Sequence, residues 1–234
     1  MIFKSKTLNT LFSIATFPIW IVQGGFFKKI AIRLPEANGI VDKNHETFDF
    51  IMLGDSVAAG VGIEHIDDAL AGEIAKCLDG KLGMPKWKVM GKSGYKLNDL
   101  LLHIDSHELP QANHYVVSIG VNDVKAFTSF SKWRIQINEL INRILHVSPN
   151  AKITFLEVPP MDKFPLLKLP LSSVLGARCS ELNNITNTLI PSFKFVNTIP
   201  IELSGEKSHF AEDGFHPSTV ACQLMAEKIT HFFD

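Results

Sequence analysis

The chain has 234 residues, 46% of them hydrophobic and 20% charged, so it is long enough for one domain with a sizeable buried core. Its net charge of −1 and its scattered basic residues exclude the clustered Lys/Arg surface of a nucleic-acid-binding domain. Three widely separated cysteines, Cys77, Cys179 and Cys222, form neither a disulfide framework nor a zinc site, and we interpret them as buried apolar residues.

Residues 1–33 contain an apolar run with basic flanks. The run, LFSIATFPIWIVQGGFF at residues 11–27, is short for a membrane span and contains one proline and two glycines. Three alternatives stay open: an uncleaved anchor or interfacial helix, a cleaved signal peptide, or a helix packed on the domain. Membrane association through residues 11–27 is therefore an expectation. A membrane-associated or exported (periplasmic) location is favoured over a purely cytoplasmic one.

Residues 34–47 are predicted to be a linker, and residues 48–234 a single folded domain. Five apolar, β-capable runs lie at 48–54, 86–91, 114–120, 152–158 and 193–198. Five segments with helical spacing lie at 67–80, 96–109, 131–147, 172–190 and 216–233, the first of them with Asp67 or Asp68 as its N-cap. This alternation predicts right-handed βαβ crossovers, a parallel sheet and one three-layer α/β/α domain.

Polar and glycine residues follow several of the predicted strands. Ser56 comes directly after the first strand, where we expect the chain to turn into a helix, and Gly94 and Asn122 follow the second and third. Asp213 and His216 follow the fifth strand in the segment EDGFHPS. Because ligands bind beyond the carboxyl ends of parallel strands, we expect these five residues to lie at one edge of the sheet.

Their chemistry is that of a serine nucleophile. A serine hydroxyl reacts at neutral pH only when a base takes its proton, and His216 has a carboxylate three residues upstream. Asp213 can accept from one ring nitrogen and leave the other for Ser56. The backbone N–H groups of Ser56 and Gly94 and the side-chain amide of Asn122 are candidate donors to an oxyanion.

The blocks GDS, SG, GVND and DGFHP occur in this order between residues 54 and 217. With them the chain resembles the SGNH hydrolases, also called GDSL-type esterases and lipases. The resemblance implies a flavodoxin-like sheet of about five strands, the site Ser56, Gly94, Asn122, Asp213 and His216, and no metal or organic cofactor. The chain departs from the pattern in two places, since Val57 follows the serine and no asparagine directly precedes Gly94. The alternative nucleophile motif of α/β-hydrolases, G-x-S-x-G, does not occur around Ser56.

We therefore predict a carboxylic-ester hydrolase that acts on a small-molecule ester and has no nucleic-acid partner. The apolar segment 159–171, PPMDKFPLLKLPL, is either a mobile wall for an acyl chain, which we favour, or an ordinary long connection. Together with a membrane-facing N-terminus, such a wall favours short-acyl, lysophospholipid or thioester substrates. A carbohydrate O-acetyl esterase or an acyltransferase on the same site is the alternative. A non-catalytic binding module is disfavoured because it would be expected to lack one of Ser56, Asn122 or His216. Acyl-chain length, the alcohol and the oligomeric state stay open.

Overall fold

The computed structural model describes residues 6–30, 32–39, 45–201 and 206–233. Five parallel strands form one sheet: β1 Phe48–Gly54, β2 Trp87–Gly91, β3 Ala112–Ser118, β4 Lys152–Leu156 and β5 Val196–Ile199. Their order in the sheet is β2-β1-β3-β4-β5, so β3 is the central strand with β1 and β4 on either side, and all carboxyl ends share one edge. This is the flavodoxin-like strand order, which confirms the predicted fold class.

Helices cover both faces of the sheet. They are α1 Lys6–Ala15, α2 Phe17–Ile30, α3 Leu70–Leu82, α4 Leu97–His107, α5 Val121–Lys125, α6 Phe130–Val147, α7 Leu171–Leu189 and α8 Thr219–Thr230. The pair α3 and α8 packs together on one face, and α4, α6 and α7 pack on the other.

The inner strand β1 shows why its sequence is a continuous apolar run. Successive strand residues point to opposite faces, so Phe50 and Met52 pack in the core under α3 and α8, while Ile51 and Leu53 pack in the core under α4 and α6. All four side chains have no exposed surface. Burial of each such side chain contributes about 1.5–3 kcal/mol to the stability of the fold. This burial holds β1, and hence the residues at its carboxyl end, in place.

Some local expectations were wrong. Asp67 and Asp68 do not cap α3, because they belong to a separate 3₁₀ turn, and the N-cap position is taken by Ala69 without a side-chain hydrogen bond. Cys179 and Cys222 are buried, but Cys77 is exposed on α3. The five-residue helix α5 was not predicted, since it is too short to show a helical period in the sequence.

The helices α1 and α2 are separated only by Thr16, and the N-terminal helical segment that they form, here called the hairpin, contacts α7. Trp20 is 8% exposed and its ring stacks on Phe127 at a centroid distance of 5.3 Å. The side chain of Gln23 donates to the carbonyl of Leu169 at 2.8 Å and accepts from the N–H of Leu171 at 3.1 Å. Within the described residues, no helix has the length and apolar character needed to cross a membrane.

Part of the predicted linker packs on the domain. The carbonyl of Pro35 accepts from the N–H of Gly62, and the N–H of Ala37 donates to the carbonyl of Ala59. Asn38 forms a parallel bridge with His65. Residues 40–44 of the linker lie outside the described residues. The proposed division of the chain at 33/34 and 47/48 stays a prediction.

Candidate active site

Ser56 lies in a tight turn at the carboxyl end of β1. The backbone at Gly54 passes so close to β3 that a Cβ there would lie 2.1 Å from the carbonyl oxygen of Ser118. The N–H of Asp55 donates to that same carbonyl at 3.0 Å, and the carbonyl of Ser56 accepts from Val61 at 2.9 Å. Residues 56–62 form consecutive turns, so the expected helix directly after Ser56 is absent from this described segment and α3 begins only at residue 70. Ser56 is thus held by the sheet and not by a helix start.

Asp213 and His216 form a hydrogen-bonded pair in the loop before α8. Asp213 Oδ2 lies 2.6 Å from His216 Nδ1, while Oδ1 accepts from the backbone N–H groups of Phe215 at 2.9 Å and His216 at 3.0 Å. Burial alone would raise the pKa of Asp213, but these hydrogen bonds outweigh it and the pKa is lowered. An ionised Asp213 therefore keeps the proton of His216 on Nδ1 and leaves Nε2 as the second ring position.

Ser56 and His216 line the same cavity, which has a volume of about 40 Å³. Most of the other side chains around it are apolar, among them Leu156, Pro159, Phe164, Phe215 and Met225. Two of these, Pro159 and Phe164, come from the segment interpreted as an acyl wall, whereas the sequence held no signal for Leu156 or Met225. Phe215 lies between Asp213 and His216 and could have been inferred from the DGFHP block.

Gly94, in the loop before α4, and Asn122, in α5, belong to two segments that are joined by hydrogen bonds. The amide nitrogen of Asn122 donates to the carbonyl of Tyr95 at 3.0 Å, which leaves its second N–H for another acceptor. Asp123 Oδ2 accepts from the N–H of Leu97 at 2.9 Å. Asn122 and Asp123, both in α5, therefore hold the segment that carries Gly94. Gly94 has a φ of +89°, and nothing lies within 4 Å of the position a Cβ would take, so its backbone is openly accessible.

The segments that carry Gly94 and Asn122 lie beside the cavity. Val121, directly before Asn122, lines the cavity, and the N–H of Lys92 donates to the carbonyl of Gly54 at 3.3 Å. Among the described residues, neither Gly94 nor Asn122 is part of the cavity lining. No group of three or more His, Cys, Asp or Glu in the described ranges is arranged to hold a metal ion.

Asp55 is a buried carboxylate beside Ser56, with only 1% of its surface exposed. Its Oδ1 accepts from the N–H of Val57 at 3.2 Å, and its Oδ2 has no hydrogen-bond partner among the described residues. Desolvation raises the pKa of Asp55 from 3.8 to about 6, against the smaller opposing effects of the Val57 N–H and the charges of Lys125 and His216. The carboxylate therefore lowers the stability of the fold when it is ionised.

We expect Asp55→Asn to change how stability depends on pH. Because the folded-state pKa of about 6 lies above the ordinary 3.8, the wild-type protein loses stability as the pH rises through this window. The uncharged variant lacks this loss. The free energy of unfolding of Asp55→Asn minus that of the wild type should therefore increase by about 1–2 kcal/mol from about pH 5 to about pH 8, as measured by urea denaturation. Asp67→Asn, at an exposed position, is the control, and a constant difference across this range would contradict the prediction.

The GDSL-like Lipase/Acylhydrolase family matches residues 52–224, from within β1 to within α8. The chain belongs to this family. The match includes every residue of the candidate site described above, and it places the protein among the carboxylic-ester hydrolases. None of the curated proteins matches the chain.

Solved structures of GDSL-type and related enzymes share the fold. A Streptococcus pneumonia protein named for platelet activating factor is 17% identical, with a TM-score of 0.60 over 98% of this chain and 97% of that chain. The lipase/acylhydrolase from Enterococcus faecalis is 19% identical, with a TM-score of 0.54 over 80% of this chain and 94% of that chain. A carbohydrate esterase family 2 enzyme from Corynascus thermopiles is 13% identical, with a TM-score of 0.64 over 84% of this chain and 68% of that chain. At these identities the likeness to these structures concerns the fold alone.

Proposed function

We propose that this GDSL-family hydrolase cleaves short-acyl esters through an acyl-enzyme on Ser56, with His216 and Asp213 as the other members of a catalytic triad. The observation that carries the proposal is the Asp213–His216 hydrogen bond of 2.6 Å at the wall of the cavity that Ser56 also lines. A histidine oriented in this way is the base that a serine hydroxyl requires.

The proton moves between Ser56, His216, the leaving alcohol and the attacking water. His216 Nε2 takes the proton of the Ser56 hydroxyl as the Oγ attacks the ester carbonyl carbon, and gives it to the leaving alcohol oxygen when the ester bond breaks. Water then attacks the acyl-enzyme with His216 as its base, and the acid leaves as the proton returns to Ser56 Oγ. The ionised Asp213 stabilises the imidazolium that forms in each half of the reaction.

We assign the oxyanion to three donors, the backbone N–H groups of Ser56 and Gly94 and the side-chain amide of Asn122. The proposal is supported by the open surroundings of Gly94 and by the bond from Asn122 to Tyr95, which fixes the amide while leaving one N–H. Donors that are already oriented require no reorganisation during the reaction, and each typically contributes about 10²–10³-fold to kcat.

The dimensions of the cavity favour a short acyl group. A volume of about 40 Å³ holds only a few water molecules, each of which needs roughly 10–15 Å³ by this measure, so the cavity itself encloses only a short acyl group. An acetyl or butyryl group is therefore the best match for the part of the substrate that this cavity encloses. A carbohydrate O-acetyl ester is the second candidate, because an acetyl group fits equally well and an esterase of carbohydrate esterase family 2 has the same fold.

A series of p-nitrophenyl esters tests this preference. We expect kcat/KM to be highest for acetate or butyrate and to be at least about tenfold lower for octanoate. Met225→Ala removes part of the cavity wall and should move the optimum toward longer chains, while Met84→Ala, at a position 87% exposed, should leave it unchanged. A profile that rises steadily toward long chains in the wild-type enzyme would refute the short-acyl assignment.

A further inference from the structure

The N-terminal hairpin exposes an unusual number of large apolar side chains. Each of eight residues is between 49% and 70% exposed, and together we call them the hairpin face: Leu8, Leu11, Ile14, Phe17, Ile19, Ile21, Val22 and Phe26. On α1 the three members follow each other at intervals of three residues, and on α2 Ile19, Val22 and Phe26 follow at intervals of three and four. Such spacing places each of these two groups on one side of its helix, whereas Phe17 and Ile21, four residues apart, lie on another side of α2.

The hairpin face belongs to an element that is fixed to the domain through Trp20, and two of its members, Ile14 and Phe17, also line a cavity between this element and the domain. Trp20 is 8% exposed, whereas its neighbours Ile19 and Ile21 are 55% and 49% exposed. The Trp20 ring stacks on Phe127 and its Nε1 donates to the carbonyl of Ser13 at 2.9 Å. With this anchor inside, the domain itself does not cover the hairpin face, and its burial requires another surface.

The charge of the N-terminal segment identifies the kind of surface. Residues 1–35 contain five of the 23 basic residues of the chain and none of its 24 acidic residues. Basic residues on both sides of an apolar face are typical of helices that lie in the interface of an anionic bilayer. A second copy of this chain would bring the same positive charges together, which disfavours self-association through this face.

We propose that the hairpin face docks onto the surface of an anionic lipid bilayer, with its apolar side chains among the acyl chains and the basic residues near the headgroups. This docking does not depend on the proposed catalytic residues. It has a structural connection to the cavity, because Gln23 binds the backbone of Leu169 and Leu171 at the end of the segment that supplies Pro159 and Phe164. Leu169 is itself 64% exposed beside this connection.

Co-sedimentation of the full chain with vesicles tests the proposal. We expect binding to vesicles of phosphatidylcholine with phosphatidylglycerol, weaker binding to phosphatidylcholine alone, and a decrease with added salt. Ile14→Glu combined with Val22→Glu should lower the partition coefficient at least about tenfold, since two apolar side chains are lost from the buried face. Ile135→Glu combined with Leu102→Glu is the matched control, because these residues are 65% and 60% exposed on other helices.

The outcomes are separable from a failure of the catalytic assignment. Both double variants should hydrolyse p-nitrophenyl butyrate in solution like the wild type, which shows that they are folded, and Ser56→Ala should bind vesicles like the wild type. The proposal is overturned if the wild type stays in the supernatant with both vesicle types, or if the hairpin variant binds as the wild type does. A dimer in light scattering that the hairpin variant abolishes, without vesicle binding, would instead assign the face to a second copy.

Discussion

Ser56→Ala is expected to lower kcat for p-nitrophenyl butyrate by about 10³- to 10⁶-fold. Without the hydroxyl no acyl-enzyme forms, and the remaining turnover comes only from donors that polarise the carbonyl for direct attack by water. KM should change far less, because the apolar walls that contact the acyl group are untouched. The measurement is the initial rate over a range of substrate concentrations, supported by the loss of the pre-steady-state burst.

The control for this variant is Ser93→Ala. Ser93 is an exposed serine in the loop that precedes Gly94, and its backbone N–H, not its side chain, donates to Glu36. We expect it to retain activity near that of the wild type. If Ser56→Ala also kept such activity, Ser56 would not be the nucleophile and the proposed reaction would be wrong.

Asp213→Asn is expected to lower kcat by about 10⁴-fold while the fold is retained. The amide oxygen can still accept from the N–H groups of Phe215 and His216, so the loop geometry is preserved. The amide nitrogen, however, donates to His216 Nδ1, which places the ring proton on Nε2, where the base must accept one from Ser56. The wrong tautomer thus disables the base without removing it.

The neighbouring carboxylate provides the comparison. Glu212 is exposed and directly precedes Asp213, so Glu212→Gln removes one negative charge from the same loop without altering the hydrogen bond to His216. Equal activity losses in Glu212→Gln and Asp213→Asn would indicate a general effect of charge and contradict the specific role of Asp213. Unfolding transitions of both variants should lie close to that of the wild type.

The sequence predicted the layered fold because its signals are local. The apolar run 48–54 agrees with strand β1 at both ends, and the periodic segment 131–147 agrees with α6 to within one residue. Each signal repeats over one element, so the alternation of strands and helices is sufficient to indicate a parallel sheet. The four blocks around Ser56, Gly94, Asn122 and His216 likewise indicated the family, which the match over residues 52–224 confirms.

Contacts between distant residues escaped the sequence. The bond from Asp123 to Leu97, the missing partner of Asp55 Oδ2 among the described residues, and the contribution of Met225 to the cavity each depend on segments that meet only in the folded chain. The same holds for the hairpin, whose alternatives the sequence left open and whose contact with α7 depends on Trp20.

What the sequence by itself determined is therefore the type and order of the five strands and of the five longer helices of the domain, the family, and the five residues predicted to form the site. Periodicity and short motifs encode these because they depend on residues near each other along the chain. Only the tertiary structure decided which apolar side chains of the hairpin stay exposed and how small the cavity beside Ser56 is. It also decided that Asp55 is buried, which lowers the stability of the fold when this carboxylate is ionised. These properties depend on packing and solvent exclusion, which arise when the sheet brings together side chains far apart in sequence.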